Sequence, residues 1–80
     1  MKCAVYKSLR KLDTYLYVEQ STCLDDLPQD LLQLLGKTAW VMDLELTPET
    51  RLARRNAEEV LAAIVRQGFY VQLPPVEGGL

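Results

Sequence analysis

Asp43 and Glu45 lie two positions apart in an alternating stretch. On a strand they would share a side and could approach one cation, although carboxylates facing solvent fit the same pattern. No metal or other cofactor is expected. The chain has two cysteines, Cys3 and Cys23, and no C-x-x-C, which excludes a redox pair of that type and a zinc ribbon. Histidine is absent, which removes Ser-His and Cys-His catalysis, histidine metal sites and histidine pH switching. Cys23 therefore has no base to make it a nucleophile. No glycine-rich phosphate loop is present, and Asp25, Asp26 and Asp30 are accounted for by a helix N-terminus. No catalytic set remains, and a protein that is not an enzyme is expected. The other chemistry-bearing residues are basic or aromatic. Lys7, Arg10 and Lys11 form one basic group, and Arg51, Arg54 and Arg55 another. They are two solvated patches, or an anion site if the fold unites them.

The chain has 80 residues, enough for one small domain whose core is a sheet with a helix or two. Nine basic residues against eleven acidic ones leave a net charge of −2, which argues against nucleic-acid binding through a bulk positive field. The longest uninterrupted apolar run, Val60 to Val65, is far too short to span a bilayer, and the N-terminus has no signal-peptide run. A soluble cytoplasmic protein with two reduced thiols and no membrane partner is expected.

Residues 3–7 alternate as a strand, 8–13 read as a hairpin loop, and Thr14 to Val18 form a second strand rich in β-branched and aromatic residues. The period then changes. Leu24, Leu27, Leu31, Leu34 and Leu35 recur at spacings of three and four. With Pro28 at its start and Gly36 after its end, a short helix is predicted at about 28–35. Ala39 to Leu46 alternates as a third strand, with Trp40, Met42, Leu44 and Leu46 pointing one way. Two helix starts then compete, Thr47-Pro48 and Asn56-Ala57-Glu58-Glu59. Either one helix runs from about 48 to 67, or a turn precedes a helix at about 57–67. The stripe Ala53, Ala57, Val60, Leu61 and Ile64 favours the longer one. Gly68 ends the helix, Phe69 to Leu73 form a fourth strand, and Pro74-Pro75 stop it. The domain is placed at 1–75, with a flexible C-terminal tail at 76–80. The order is β-β-α-β-α-β in a single α/β (α+β) sheet of about four strands. The first pair is expected antiparallel, and the third and fourth strands parallel through a right-handed crossover.

Alternation sorts the strands into two faces. Cys3, Val5, Leu16, Val18, Phe69, Val71 and Leu73 form an apolar set, to be covered by the long helix. The other set gathers all four tyrosines, Tyr6, Tyr15, Tyr17 and Tyr70, with Ala4, Val41, Asp43, Glu45 and Gln72. The short helix would partly cover them, with rings buried and hydroxyls reaching water. A stacking platform for RNA bases is the sharper alternative, but Asp43 and Glu45 on that face would repel phosphates. A tyrosine-rich protein-binding surface is the other.

Tyr6-Lys7-Ser8, Tyr15-Leu16-Tyr17-Val18, the Leu27-Pro28 helix followed by Gly36, and Gln67-Gly68-Phe69-Tyr70-Val71-Gln72-Leu73-Pro74-Pro75 together resemble the YcgL family of small bacterial proteins. The resemblance spans roughly residues 3–75 and rests on the order and spacing of these segments. It implies a compact α/β domain with helices on both sides of the sheet, an α/β/α sandwich. It implies no catalytic residues. Members often continue into a longer tail than this sequence has. The expectation is a non-enzymatic module with a protein partner, binding through Tyr6, Tyr15, Tyr17, Tyr70, Arg51, Arg54 and Arg55. The alternative is an RNA-processing accessory protein that uses the same tyrosines and arginines on nucleic acid.

Overall fold

A computed structural model describes residues 1–52 and 56–74 of the chain. Strands β1 (Lys2–Ser8) and β2 (Tyr15–Glu19) are followed by a 3-10 turn (Leu24–Asp26) and helix α1 (Gln29–Leu35). Strand β3 (Thr38–Glu45), helix α2 (Ala57–Gln67) and strand β4 (Tyr70–Gln72) complete the order. The fold is α+β: one four-stranded antiparallel sheet with two α-helices. The tail at 76–80 lies outside the described residues.

The sheet order is β3-β1-β2-β4. The hairpin of β1 and β2 fills the centre, where β1 is apolar on both faces and buried at Cys3, Ala4 and Val5. β3 and β4 are the two edges. Every neighbouring pair is antiparallel, so β3 runs with β2 and β4 with β1. The expected parallel pairing of the third and fourth strands is thus wrong. They are not neighbours, because the hairpin offers each of them a free edge and α2 carries the chain from one edge to the other.

Helix α2 is the shorter of the two alternatives. Asn56 is extended (φ −81°, ψ 127°), and its side chain accepts from the Glu58 amide at 2.7 Å. A good N-cap starts a helix where it stands. Upstream, Thr47-Pro48 opens a turn rather than a helix. The Thr50 amide bonds the Thr47 carbonyl, and Thr50 Oγ1 accepts from the Thr47 amide at 2.8 Å. Arg51 and Asn56 form an isolated antiparallel bridge, so the chain folds back there. Arg51 therefore does not lie on a helical stripe. Arg54 and Arg55 are outside the described residues. At the other end Gly68 takes the left-handed conformation (φ 96°) and its amide bonds Ile64 O at 2.8 Å.

α1 starts one residue later than expected, after Pro28, and ends at Gly36. Ser8 ties it to the hairpin. Its hydroxyl donates to the Leu35 carbonyl at 2.6 Å and accepts from the amides of Arg10 and Lys11 at 3.1 and 2.9 Å. One buried hydroxyl thus satisfies an otherwise orphan helix carbonyl and two loop amides.

The core has two clusters. Ala57, Val60 and Ile64 of α2 pack with Cys3, Val5, Tyr17 and Leu46, against which Tyr15, Leu44 and Tyr70 are half-buried. Leu31 and Leu35 of α1 pack with Ala4, Leu16, Val18 and Leu27, joined by Tyr6, Phe69 and Val71. The four tyrosines therefore do not share a face. Tyr15, Tyr17 and Tyr70 lie with α2, and Tyr6 with α1. The reason is the hairpin register, which sets Val5 opposite Tyr17 and Tyr6 opposite Leu16. A one-residue offset between strands exchanges every side chain between faces. The expected helix placement is reversed for β2 and β4 only: α2 covers Tyr15, Tyr17 and Tyr70, and α1 covers Leu16, Val18, Phe69 and Val71, whereas Cys3 and Val5 lie under the longer helix and Tyr6 under the shorter one as expected.

A second offset lies in β3. Val5 pairs with Met42 but Tyr6 pairs with Trp40, leaving Val41 as an extra residue. Trp40 and Met42, expected on one face, are thereby turned to opposite ones.

Candidate functional site: a cavity beside an exposed edge strand

The α2 face carries a cavity of about 500 Å³. β1 and β2 contribute Val5, Tyr15 and Tyr17, β3 contributes Val41, Met42 and Leu44, and Gln72 of β4 closes one side. The segment after β3 adds Thr50, Arg51 and Leu52. The wall is apolar with a few polar groups, the usual make-up of a small-molecule site.

Its polar groups are held in place. The Tyr17 hydroxyl donates to Gln72 Oε1 at 3.1 Å. The Tyr17 and Tyr70 rings meet edge-on, 6.0 Å apart at 70°. Burial pushes the Tyr17 phenol pKa up, with smaller contributions from Tyr70 and Tyr15, so Tyr17 stays a neutral donor. Glu45, at the rim, is bonded at 2.9 Å by the N-terminal ammonium, which also donates to Leu46 O. That hydrogen bond and the ammonium charge hold the Glu45 carboxyl below its ordinary range. Asp43 accepts from Trp40 Nε1 at 3.0 Å and from Gln20 Nε2 at 3.1 Å. Among the described residues no group of three or more histidine, cysteine or acidic side chains is placed to hold a metal. Cys3 is buried and Cys23 exposed, and both are free thiols. Burial raises the Cys3 thiol pKa, the opposite of what a nucleophile needs.

Of the predicted site residues, Tyr15, Tyr17 and Arg51 come together at the cavity, and Tyr70 packs on Tyr17. Tyr6 lies on the other face of the sheet. Arg10 is elsewhere, bonded through Nη1 to Gln33 O at 2.9 Å. An open stacking platform does not form, because α2 packs over Tyr17 and leaves it 8% exposed. Sequence reasoning did not single out Gln72 as a site residue, although alternation placed it beside Tyr70. It also missed the exposed apolar run on β3, where Trp40, Val41 and Met42 are 58%, 39% and 46% exposed. The cue for both was strand order, which alternation does not carry.

An antiparallel sheet of order β3-β1-β2-β4 with α1 and α2 defines the class, a small α+β domain. The chain belongs to the YcgL domain family, whose profile matches residues 3–75. It is 44% identical over 80 residues to a YcgL domain-containing protein of Shewanella sp. strain ANA-3, covering all of this chain and 87% of that one. It is 48% identical over 75 residues to one of Pseudomonas aeruginosa PAO1, covering 94% of this chain and 77% of that one. A relative from Pseudomonas fluorescens Pf-5 is 43% identical over the same length. These names state a domain and no activity. No helix among the described residues is long and apolar enough to cross a membrane.

Proposed function

We propose that the domain is a non-enzymatic protein-interaction module of the cytoplasm, with a helix on each face of the sheet and β3 as its docking strand. The observation that carries this reading is the exposed edge. β3 is eight residues long, pairs on one side with β1, and shows Trp40, Val41 and Met42 to solvent. Edge strands are usually blunted by lysine, proline, shortness or a bulge; β3 lacks the first three and carries its bulge at Val41. An extended segment of a partner would add as a fifth strand, main chain to main chain, with Trp40 as an anchor. Asp43, whose side chain accepts from the neutral Trp40 and Gln20 side chains, favours a basic group in the partner segment.

The test is affinity capture of the tagged protein from native lysate of its own host, with and without nuclease, beside Val41→Lys. Val41 is exposed, so the variant should fold while a charge blocks the edge. The expected result is a stoichiometric protein partner that survives nuclease and is lost with Val41→Lys. A partner set that vanishes with nuclease would replace this reading with the RNA one. A partner retained by Val41→Lys would move the contact away from β3.

A further inference from the structure

We infer that the cavity beneath β3 binds a small aliphatic carboxylate, its chain on the apolar wall and its carboxylate between Arg51 and Gln72. Strand addition would use the outer edge of β3, so the two readings share Val41 and Met42 but not Arg51 or Gln72. Its volume of about 500 Å³ lies within the range of small-ligand pockets, and Val5, Met42, Leu44 and Leu52 make the wall.

The polar groups select the ligand. Gln72 is only 7% exposed, and its Oε1 is taken by the Tyr17 hydroxyl. Its amide Nε2 has no protein partner among the described residues. Every fully buried side-chain nitrogen or oxygen in that set does have one. The Gln72 amide group therefore keeps some open surface, and Gln72 is one of the residues that line the cavity. Arg51 lines the same space and has no ion pair among the described residues. Among the described residues Glu45 is the one acid on the wall, and the N-terminal ammonium at 2.9 Å offsets its charge. The cavity is thus lined by an amide group and by a guanidinium that no carboxylate pairs among the described residues. A carboxylate is an acceptor-only group that matches this set, and a guanidinium holds it bidentately. One cation on an apolar wall suits a monoanion with a hydrocarbon body better than a phosphate dianion.

The test is titration of the 15N-labelled full chain with sodium octanoate, beside octanol and octylamine, followed by amide chemical shifts. Octanoate is expected to give saturable shifts centred on Tyr15, Met42, Leu44 and the Gln72 side-chain amide. Octanol and octylamine are expected to bind about tenfold more weakly or not at all, the scale of one lost charge-assisted contact. Arg51→Gln, a change at an exposed position, should weaken octanoate about tenfold and leave octanol unchanged. Equal binding of octanoate and octanol, shifts scattered over the surface without saturation, or unaltered octanoate affinity in Arg51→Gln would each overturn the assignment.

Discussion

The Tyr17 hydroxyl donates to Gln72 Oε1 at 3.1 Å, joining β2 to β4 across 55 positions of sequence. Both side chains are more than nine-tenths buried. β4 is only three residues long, so a side-chain bond supplements a short ladder. Tyr17→Phe keeps the ring and leaves the Gln72 oxygen without its donor. The expected loss is about 1–3 kcal/mol, the cost of stranding one buried acceptor. Urea denaturation measures it. Stability within about 0.5 kcal/mol of wild type, a surface-like effect, would mean the bond does not hold β4.

The same phenol links stability to alkaline pH. Its pKa is raised in the folded state above the ordinary 10.0, chiefly by burial. A raised acid contributes stability that is complete below the unfolded value and lost as pH rises through the folded one. Wild type should lose stability to urea from about pH 10 upward, more steeply than Tyr17→Phe. Parallel pH profiles for the two proteins would show that Tyr17 ionises without penalty.

The two thiols should separate kinetically. Cys23 is exposed, whereas Cys3 is fully buried with a raised pKa. A thiol reagent such as dithionitrobenzoate should modify one equivalent at once. The second should follow only as the core opens, at a rate that rises with urea. Two fast equivalents would place Cys3 within reach of solvent.

Gly36 and Gly68 both have positive φ but differ in what surrounds them. At Gly36 (φ 64°, ψ −144°) an added Cβ would stand 3.0 and 3.1 Å from Cδ and Cβ of Arg10. That backbone region belongs almost solely to glycine. At Gly68 (φ 96°) an added Cβ meets nothing within 4 Å. Gly68→Ala should cost about 1–2 kcal/mol, the left-handed penalty alone. Gly36→Ala should cost more, about 2–4 kcal/mol, because strain and the Arg10 contact combine. Equal thermal midpoints for the two variants would contradict this ranking.

Local physics was legible in the sequence because its causes lie within a few residues. Pro28 and Gly36 bracket α1, Asn56 caps α2, Gly68 ends it, and alternation marks the four strands. The competing Thr47-Pro48 start was decided only by the turn through Thr50 and the fold-back at Arg51. Which strands pair, and in what register, depends on contacts far apart in the chain. Alternation along Ala39 to Leu46 is unbroken in sequence, so the extra residue at Val41 exists only against β1. The register of Tyr6 against Leu16 likewise exists only in the hairpin, and it moves one tyrosine away from the other three. The composition of the site was therefore readable in part, through Tyr15, Tyr17, Tyr70 and Arg51. Its shape was not, because a cavity and an exposed edge are properties of strand order, and antiparallel pairing around a central hairpin made β3 an edge.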